Sequence, residues 1–205
     1  MRNLRIALGN AFLLILIAST AGCGNGDSVT SNEQARRAYL GLDKAVSKSL
    51  ALGFAGYNAA ANANIPAQMA AGDATGALTI SGHVDQGNPS QISMGLAADM
   101  TMYSDGKIVV DDKNDTIVVT YATDSAAAPS LSLKLNASAG NTLTGSLDGD
   151  YTMSGDLQGT VTLSLQINGT FSGTAPDVMR VAGSTTVTGT AVNSSGGTYM
   201  VNTTL

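Results

Sequence analysis

The stretch from Leu143 to Gly173 constrains the fold more than any other part of the chain, because its side chains alternate strictly in character. Every odd position is apolar or glycine, and every even position is Thr, Ser, Asp, Gln or Asn. A period of two indicates β-strands with one buried face and one exposed face. As a single strand, a stretch of this length would extend about 100 Å, so the chain must reverse direction within it.

The unbroken parity also constrains the turns. A two-residue hairpin loop would exchange the residues that face the core, so loops with an odd number of residues, or compensating bulges, are expected. Two candidates are the three-residue loops Asp148-Gly149-Asp150 and Ile167-Asn168-Gly169, with Gly169 in the left-handed conformation.

The same alternation recurs on both sides of this stretch and predicts about nine to eleven antiparallel strands in a meander. So many twisted strands tend to curl, and glycines on the apolar face permit bending. We therefore expect a mainly β domain built as a barrel or half-barrel, with a β-sandwich as the alternative. The apolar positions that carry the pattern are Leu78, Ile80, Gly82 and Val84; Ile92, Met94, Leu96, Ala98, Met100 and Met102; Ile108, Val110, Ile117 and Val119; Leu131, Leu133 and Leu135; and Met179, Val181, Val187, Ala191, Tyr199, Val201 and Leu205.

An amphipathic helix precedes the strands. Ser31 and Gln34 have the spacing of a capping box, and an apolar stripe with helical spacing predicts one N-terminal helix from about Asn32 to Tyr57. We expect this helix to cover the apolar face of the sheet, as a permanent plug or as a mobile lid. The Ala/Asn-rich residues 58–76 are predicted to form a fraying helix end and a loop. The stripe consists of Ala35, Tyr39, Leu42, Val46, Leu50, Phe54 and Tyr57, and the basic residues Arg36, Arg37, Lys44 and Lys48 lie off it.

The chain begins with the features of a secretory signal peptide. Arg2 and Arg5 precede an apolar run from Ile6 to Ala18, which is followed by Ser19-Thr20-Ala21-Gly22-Cys23. This segment resembles the lipobox of bacterial lipoproteins, in which the cysteine is acylated and becomes the new N-terminus. Two alternatives are cleavage after Ala21 with ordinary secretion, and an uncleaved membrane anchor.

The resemblance implies a membrane partner reached through acyl chains on Cys23. Because Gly24 stands where an acidic retention residue would be, it also implies the outer membrane. The expected organisation is a signal peptide at 1–22, a tether at 23–30, a helix and loop at 31–64, and a β domain at 65–205 that packs with the helix as one unit.

Composition and motifs argue against nucleic-acid binding and against catalysis. Without Arg2 and Arg5, eight basic groups face fifteen acidic ones, which is unfavourable for binding nucleic acid. His83 is the only histidine and is expected to be solvated. Asp148, Asp150 and Asp156 share one face by parity and could approach one another as a carboxylate pair, but nothing else in the neighbourhood suggests a sugar site. We therefore expect no enzyme activity and no cofactor.

The acidic turns leave one alternative open. Calcium prefers oxygen ligands such as those that turns supply, but Asp and Asn are also common turn residues. Neither acidic cluster has the spacing of an EF-hand or of glycine-rich nonapeptide repeats. Turn formation is the favoured interpretation, with calcium binding as the alternative. The residues concerned are Asp111, Asp112, Asn114 and Asp115 in one cluster and Asp148, Asp150 and Asp156 in the other.

Three functional hypotheses follow. The first is a non-catalytic envelope lipoprotein with a structural or partner-binding role and an envelope protein as its candidate partner. The second is an amphiphile-binding half-barrel with a helical lid, because the element order and the hairpin Ser104-Asp105-Gly106-Lys107 loosely resemble the periplasmic lipoprotein-carrier family. The third is an enzyme. The candidate cavity lining for the second, with core packing as the alternative, is Met94, Met100, Met102, Met153, Leu163 and Leu165.

Overall fold

The computed structural model describes residues 29–205 except 61, 89, 112 and 176. The predicted signal peptide, Cys23, residues 24–28 and Asp112 lie outside the described residues. The described chain folds into two helices and one antiparallel sheet of eleven strands. The elements are α1 (Asn32–Leu40), α2 (Asp43–Ala59), β1 (Asn64–Ala71), β2 (Thr75–Asn88), β3 (Gln91–Ser104), β4 (Lys107–Val109), β5 (Thr116–Ala122), β6 (Ser130–Asn136), β7 (Thr142–Gly155), β8 (Gly159–Ser172), β9 (Met179–Arg180), β10 (Thr186–Asn193) and β11 (Thr198–Thr204).

The sheet follows the chain closely, which confirms the predicted meander. Its main path runs β1-β2-β3-β5-β7-β8-β10-β11. The two short strands β5 and β6 both lie between the long strands β3 and β7. The strand β6 pairs with the N-terminal half of β3 and of β7, and β5 pairs with their C-terminal parts, at Tyr103 of β3 and around Met153 of β7. Among the described residues, β1 pairs only with β2 and β11 only with β10, so these two strands are the edges of the main path, and the short strands β4 and β9 each have one neighbour, β5 and β8.

The alternation between 143 and 173 is confirmed as a one-sided sheet. Every buried residue in this stretch is at an odd position, and no even position is buried. The stretch forms two strands of fourteen residues, β7 and β8, which are paired from Thr142–Thr170 to Met153–Gly159. The connection between them, residues 156–158, has an odd number of residues, as the parity requires.

The two predicted turn positions are wrong. Residues 148–150 lie inside β7 and residues 167–169 inside β8. Gly149 is needed for a close approach instead of a reversal, because a Cβ there would lie 2.6 Å from the Cα of Pro129, and its φ is 152°. Gly149 is therefore required by the close approach of Pro129, although in the sequence it is indistinguishable from a turn glycine.

A β-bulge removes Met102 from the apolar face. Between the pairs Ala77–Thr101 and Thr75–Ser104, β3 has one residue more than β2, and Met102 has a φ of 48°. The extra residue shifts the parity, so Tyr103 points into the core and Met102 is 58% exposed. The predicted position of Met102 on the apolar face is therefore wrong.

The predicted single N-terminal helix is not supported as such. The helical segment occupies residues 32–59, and it consists of two helices joined at Gly41 and Leu42. The predicted cap is present, since the side chain of Ser31 accepts a hydrogen bond from the backbone N–H of Gln34 (3.2 Å).

A tyrosine of the sheet explains why the helix is interrupted. The hydroxyl of Tyr121 donates a hydrogen bond to the carbonyl of Ala38 (2.7 Å), which in a continuous helix would accept from Leu42. Leu42 instead bonds to the carbonyl of Tyr39 (2.8 Å). Gly41 makes this approach possible, because a Cβ there would lie 2.2 Å from the Tyr121 hydroxyl.

The first strand was not predicted. Residues 64–71 form β1, where a loop was expected, and only Ile65 of this strand is buried. A strand on the edge of the sheet with one buried side chain has no alternating pattern, and its register is irregular between Ile65 and Gln68, on either side of Pro66. Pairing with β2, a tertiary effect, therefore determines its structure.

The helices cover the apolar face of the sheet, as expected. The stripe from Ala35 to Phe54 is buried together with the inward side chains of the strands. Two helical glycines bring the backbone close to the sheet: a Cβ at Gly53 would lie 2.9 Å from Met94 Sδ, and one at Gly56 would lie 3.0 Å from Ile65. Helix and sheet therefore share one core.

We expect Gly41→Ala to destabilise the protein and Tyr121→Phe to relieve much of that effect. Gly41 has right-handed helical dihedrals, so alanine would normally stabilise by about 0.4–1 kcal/mol, but here its Cβ would meet the Tyr121 hydroxyl. Overpacking of this kind costs about 1–3 kcal/mol.

A double-mutant cycle by urea denaturation measures the coupling between the two positions. Additive free energies of unfolding for the two single variants would contradict this account of the helix break.

Candidate functional site

The start of the folded chain is fixed to the sheet. Val29 is completely buried, and its carbonyl accepts a hydrogen bond from Asn193 Nδ2 (3.0 Å), while Asn193 Oδ1 accepts one from the backbone of Gly197 (2.7 Å). The side chain of Asn32 accepts a hydrogen bond from the backbone of Met200 (2.9 Å) on the edge strand β11. Val29 and the start of α1 are therefore held against the β10–β11 end of the sheet.

Five of the six candidate cavity residues lie in the packed core. Met94, Met100, Met153, Leu163 and Leu165 are all buried, whereas Met102 is on the surface. The space beside Met100, between α2 and the sheet, measures only about 10 Å³. This is room for about one water molecule, far below the ~300–1,000 Å³ of a typical ligand pocket. In this arrangement the residues fill the core.

The same small space borders a buried polar group. The hydroxyl of Tyr151 is buried and has no hydrogen-bond partner among the described residues, and Tyr151 lines the space together with Leu42, Val46 and Ser49 of the helical segment. Burial raises the pKa of Tyr151 above its ordinary value, so this hydroxyl stays protonated and remains a donor.

Lys48 of α2 joins the helix to the β3–β4 turn. Its Nζ lies 2.5 Å from Asp105 Oδ1 and 2.7 Å from Asp73 Oδ1, and 5.2 Å from the centre of the Tyr103 ring. Asp105 has a fully buried side chain and also accepts a hydrogen bond from Tyr103 Oη (2.6 Å). Burial acts to lower the pKa of Lys48, but the hydrogen bonds to Asp105 and Asp73 outweigh it and raise that pKa.

Arg180 joins the long 173–185 connection to α2. Its guanidinium binds both carboxylate oxygens of Asp43 (2.8 and 2.7 Å) and the hydroxyl of Ser47 (2.7 Å). Tyr39 Oη donates to the same carboxylate (2.9 Å). Burial is the main cause that raises the pKa of Tyr39, with the charge of Asp43 adding to it. This bidentate pair is the strong form of an ion pair.

A surface cleft of about 400 Å³ lies beside this ion pair. Its lining comes from α2, from the 173–185 connection and from the C-terminal residue. Met179 and Val181 were predicted on the apolar face of a strand, and both are exposed here, because β9 has only two residues and the rest of the connection is irregular. The lining residues are Asp43, Ser47, Leu50, Ala51, Val178, Met179, Arg180, Val181, Ala182, Thr185 and Leu205.

A third ionic contact joins α1 to the loop before β5. Arg37 binds both Glu33 and Asp115, and Arg36 binds Glu33 and the carbonyl of Val110 (2.9 Å). The hydrogen bond from Arg36, reinforced by Arg37, lowers the pKa of Glu33 to about 2. The basic side chains of the helical segment thus meet acidic groups of the sheet and its loops.

The acidic residues considered for catalysis make local bonds. Asp148 accepts a hydrogen bond from Ser164 (2.7 Å) and Asp150 one from Thr162 (2.5 Å), both across the polar face of the sheet. Asp156, in the β7–β8 connection, accepts a hydrogen bond from the backbone N–H of Val118 (2.8 Å). These bonds hold the strands and the turn in place, and His83 is exposed on the same face of the sheet.

The calcium alternative has no assembled site in the described part of the chain. Asp111 Oδ1 accepts hydrogen bonds from the backbones of Lys113 and Asp115 (both 2.9 Å), which is turn chemistry. Asp112 lies outside the described residues. Among the residues that the structure describes, no group of three or more His, Cys, Asp or Glu side chains is placed to hold a metal ion.

Three residues that organise the fold were missed from the sequence. Asp105 was considered only as part of a hairpin and Asn193 was not singled out, although both are buried. Arg180 offered a signal, since it is the only basic residue between positions 135 and 205. A single basic residue in so long a stretch indicates a specific acidic partner, but the sequence did not identify Asp43.

Comparisons with known proteins return no relatives. No protein-family model, no curated protein and no solved structure matches the chain. Neither of the two described helices has the length and the apolar character needed to cross a membrane.

We expect Lys48→Met to destabilise the protein much more than Lys44→Met. Both lysines bind Asp73, but Lys44 and its partner are about half exposed, and such pairs contribute about 0–1 kcal/mol. Removal of Lys48 leaves the buried Asp105 without its cation, which costs about 3 kcal/mol or more.

Urea denaturation gives the free energies of unfolding of the two variants. Combining Lys48→Met with Asp105→Asn should recover part of the stability that Lys48→Met loses. Equal free energies of unfolding for the two single lysine variants would contradict the role assigned to Lys48.

We expect the stabilisation by Glu33 to disappear in acid. The folded-state pKa of about 2 lies below the unfolded-state value of about 4.3, so this stabilisation is present above the unfolded-state value and is lost as the pH falls towards 2. It is small, about 1 kcal/mol or less, because the pair is half exposed.

Thermal unfolding of Glu33→Gln beside the unaltered chain, from pH 6 down to pH 2.5, should show the difference in melting temperature shrinking below pH 4.5. A constant difference over this range would show that the ion pairs of Glu33 do not stabilise the fold.

Proposed function

We propose that this chain is an outer-membrane lipoprotein of the bacterial envelope, anchored by acyl chains on Cys23, with a non-catalytic structural or partner-binding role. The observation that carries the proposal is the N-terminal sequence, in which a basic start, an apolar run and Ala21-Gly22 precede the single cysteine of the chain. Only five residues separate Cys23 from the completely buried Val29, so an anchor on Cys23 would hold the domain close to the membrane.

Acylation is a sufficient anchor for a domain of this kind. Each buried CH₂ group contributes about 0.8 kcal/mol, and two acyl chains hold a protein stably on a bilayer. The folded domain then needs no lipid-binding surface of its own, which is compatible with an outer sheet face of Thr, Ser and other polar side chains.

A non-catalytic role is supported by what the buried polar groups do. Asp105, Arg180, Asp43 and Asn193 each bond to another part of the chain, and these bonds hold the helices and the chain start against the sheet. These four side chains are thus engaged in structural contacts, and an envelope protein that contacts the polar face is the candidate partner.

We also propose that the sheet curls around the helical segment as an open half-barrel. The two edge strands support this shape, because α2 contacts β1 and α1 contacts β11. A sheet whose opposite edges meet one pair of helices has to curve around them. A sandwich would instead place a second layer of strands against the apolar face.

An amphiphile inside this half-barrel would require α2 to move. The core beside Met100 has room for about one water molecule, and movement of α2 would separate Lys48 from the buried Asp105. The lipoprotein proposal needs no such rearrangement, and we therefore prefer it to the amphiphile-binding alternative.

We expect the chain to incorporate palmitate in a bacterial host and Cys23→Ser to lose it, because the thiol of Cys23 is the proposed acceptor. Metabolic labelling with radioactive palmitate, followed by N-terminal sequencing of the mature protein, provides the measurement. Globomycin should cause the unprocessed precursor to accumulate. A mature protein that begins at Gly22 and carries no palmitate would show ordinary secretion and reject the proposal.

A further inference from the structure

We infer that one particular end of the domain faces a phospholipid bilayer. This end, called the tether end below, consists of the start of α1 (31–34), the described residues of the loop 110–116 (all but 112), the β7–β8 connection (156–158) and the β10–β11 turn (194–197). The inference rests on the proposed anchoring through Cys23 and adds to it the surface that the anchor turns towards the lipid.

The parts of the tether end are held together by direct contacts. Asn193, which binds Val29, pairs with Val161 of β8, so the β10–β11 turn lies next to the β7–β8 connection. Asp156 in that connection bonds to the backbone of Val118 in both directions (2.8 and 3.0 Å). The start of α1, residues 116–117 and residues 156–157 border one shallow depression.

The length of the tether limits where this end can be. Five residues separate Cys23 from the buried Val29, and six fully extended steps of the chain span at most about 20 Å. With Cys23 in the bilayer surface, Val29 cannot lie further than about 20 Å from that surface. The β10–β11 turn, which Asn193 connects to Val29, stays equally close.

The opposite end of the domain is too far away to take its place. Residues 137–139 precede β7, and residues 156–158 follow it, so these two turns lie at opposite ends of a strand of fourteen residues. Such a strand is about 45 Å long. If the domain stood on the turn at 137–139 with β7 along the membrane normal, Val29 would lie beyond the reach of the tether.

The side chains of the tether end are mixed in charge. Glu33 and Asp115 are paired with Arg36 and Arg37, whereas Asp111 and Asp156 are exposed acids, so a zwitterionic headgroup surface suits this end better than an anionic one. Val109 and Val118, beside the loop 110–116, are 59% and 43% exposed, and both lie on the outer face of the β4–β5 pair. We assign these two valines to the region nearest the headgroups.

The test uses tryptophan fluorescence, since the chain contains no tryptophan. Val109→Trp reports on the tether end and Ser138→Trp on the opposite end, and both positions are exposed. The mature chain, residues 23–205, is coupled through Cys23 to a maleimide-headgroup lipid in phosphatidylcholine vesicles that also contain a dansyl-headgroup lipid. We expect energy transfer to dansyl to be several-fold stronger from position 109 than from position 138. Val118→Trp is the second reporter should Val109→Trp fold poorly.

A matched control lengthens the tether. A flexible Gly/Ser segment of twenty residues inserted after Gly24 adds an average span of about 25 Å and should remove most of the difference between the two reporters. If the difference in energy transfer between positions 109 and 138 persisted in full, the short tether would not be the cause of the orientation.

The outcomes separate this inference from the proposed function. Chemical coupling bypasses acylation in the cell, so a chain that incorporates no palmitate would refute the lipoprotein proposal without affecting this measurement. Equal transfer from positions 109 and 138, or stronger transfer from 138, would overturn the orientation even when Cys23 is acylated in the cell.

Discussion

A sheet with one apolar face is stable in water only when that face is covered, and here the helical segment 32–59 provides the cover. Helices of nine and seventeen residues are marginal alone, so helix and sheet depend on each other. Gly53 and Gly56 bring the backbone of α2 within contact of Met94 and Ile65. The small residues of this chain, which has no tryptophan and three phenylalanines, thus build a core through close approach rather than through large side chains.

Burial of apolar surface does not by itself fix the orientation of α2 on the sheet, and the polar contacts fix it. Lys48 meets Asp105 on one side of α2 and Asp43 meets Arg180 on another, so the helix cannot rotate or slide without separating buried charges. The same segment also satisfies backbone groups of both edge strands: Lys48 bonds to the carbonyl of Ala71 on β1, and Asn32 to the N–H of Met200 on β11. Exposed edges invite pairing with other chains, and these contacts reduce that exposure.

The sequence contained the repeating features of the fold but few of its exceptions. The period-two pattern predicted the one-sided meander, and the apolar stripe predicted the helical segment and its docking. Four of the errors involve tertiary contacts that no local pattern reveals. Tyr121 interrupts the helix at Gly41, Pro129 requires Gly149 within a strand, the bulge turns Met102 outwards, and β2 holds β1 in an extended conformation. The same holds for the candidate site, because the structural roles of Asp105 and Arg180 depend on the distant partners Lys48 and Asp43.

The ion pairs of α2 favour a helical segment that acts as a permanent plug over one that acts as a mobile lid. A lid that opens has to expose the apolar face of the sheet, which costs about 25 cal/mol for each Å². It also has to leave the carboxylate of Asp105, whose side chain is fully buried, without Lys48. Removal of one partner from a buried ion pair costs about 3–5 kcal/mol, and the bidentate pair of Arg180 and Asp43 would break as well unless the 173–185 connection moved with the helix. These costs add in the same direction, and they favour a helical segment that stays in place and gives a short-tethered domain one rigid shape.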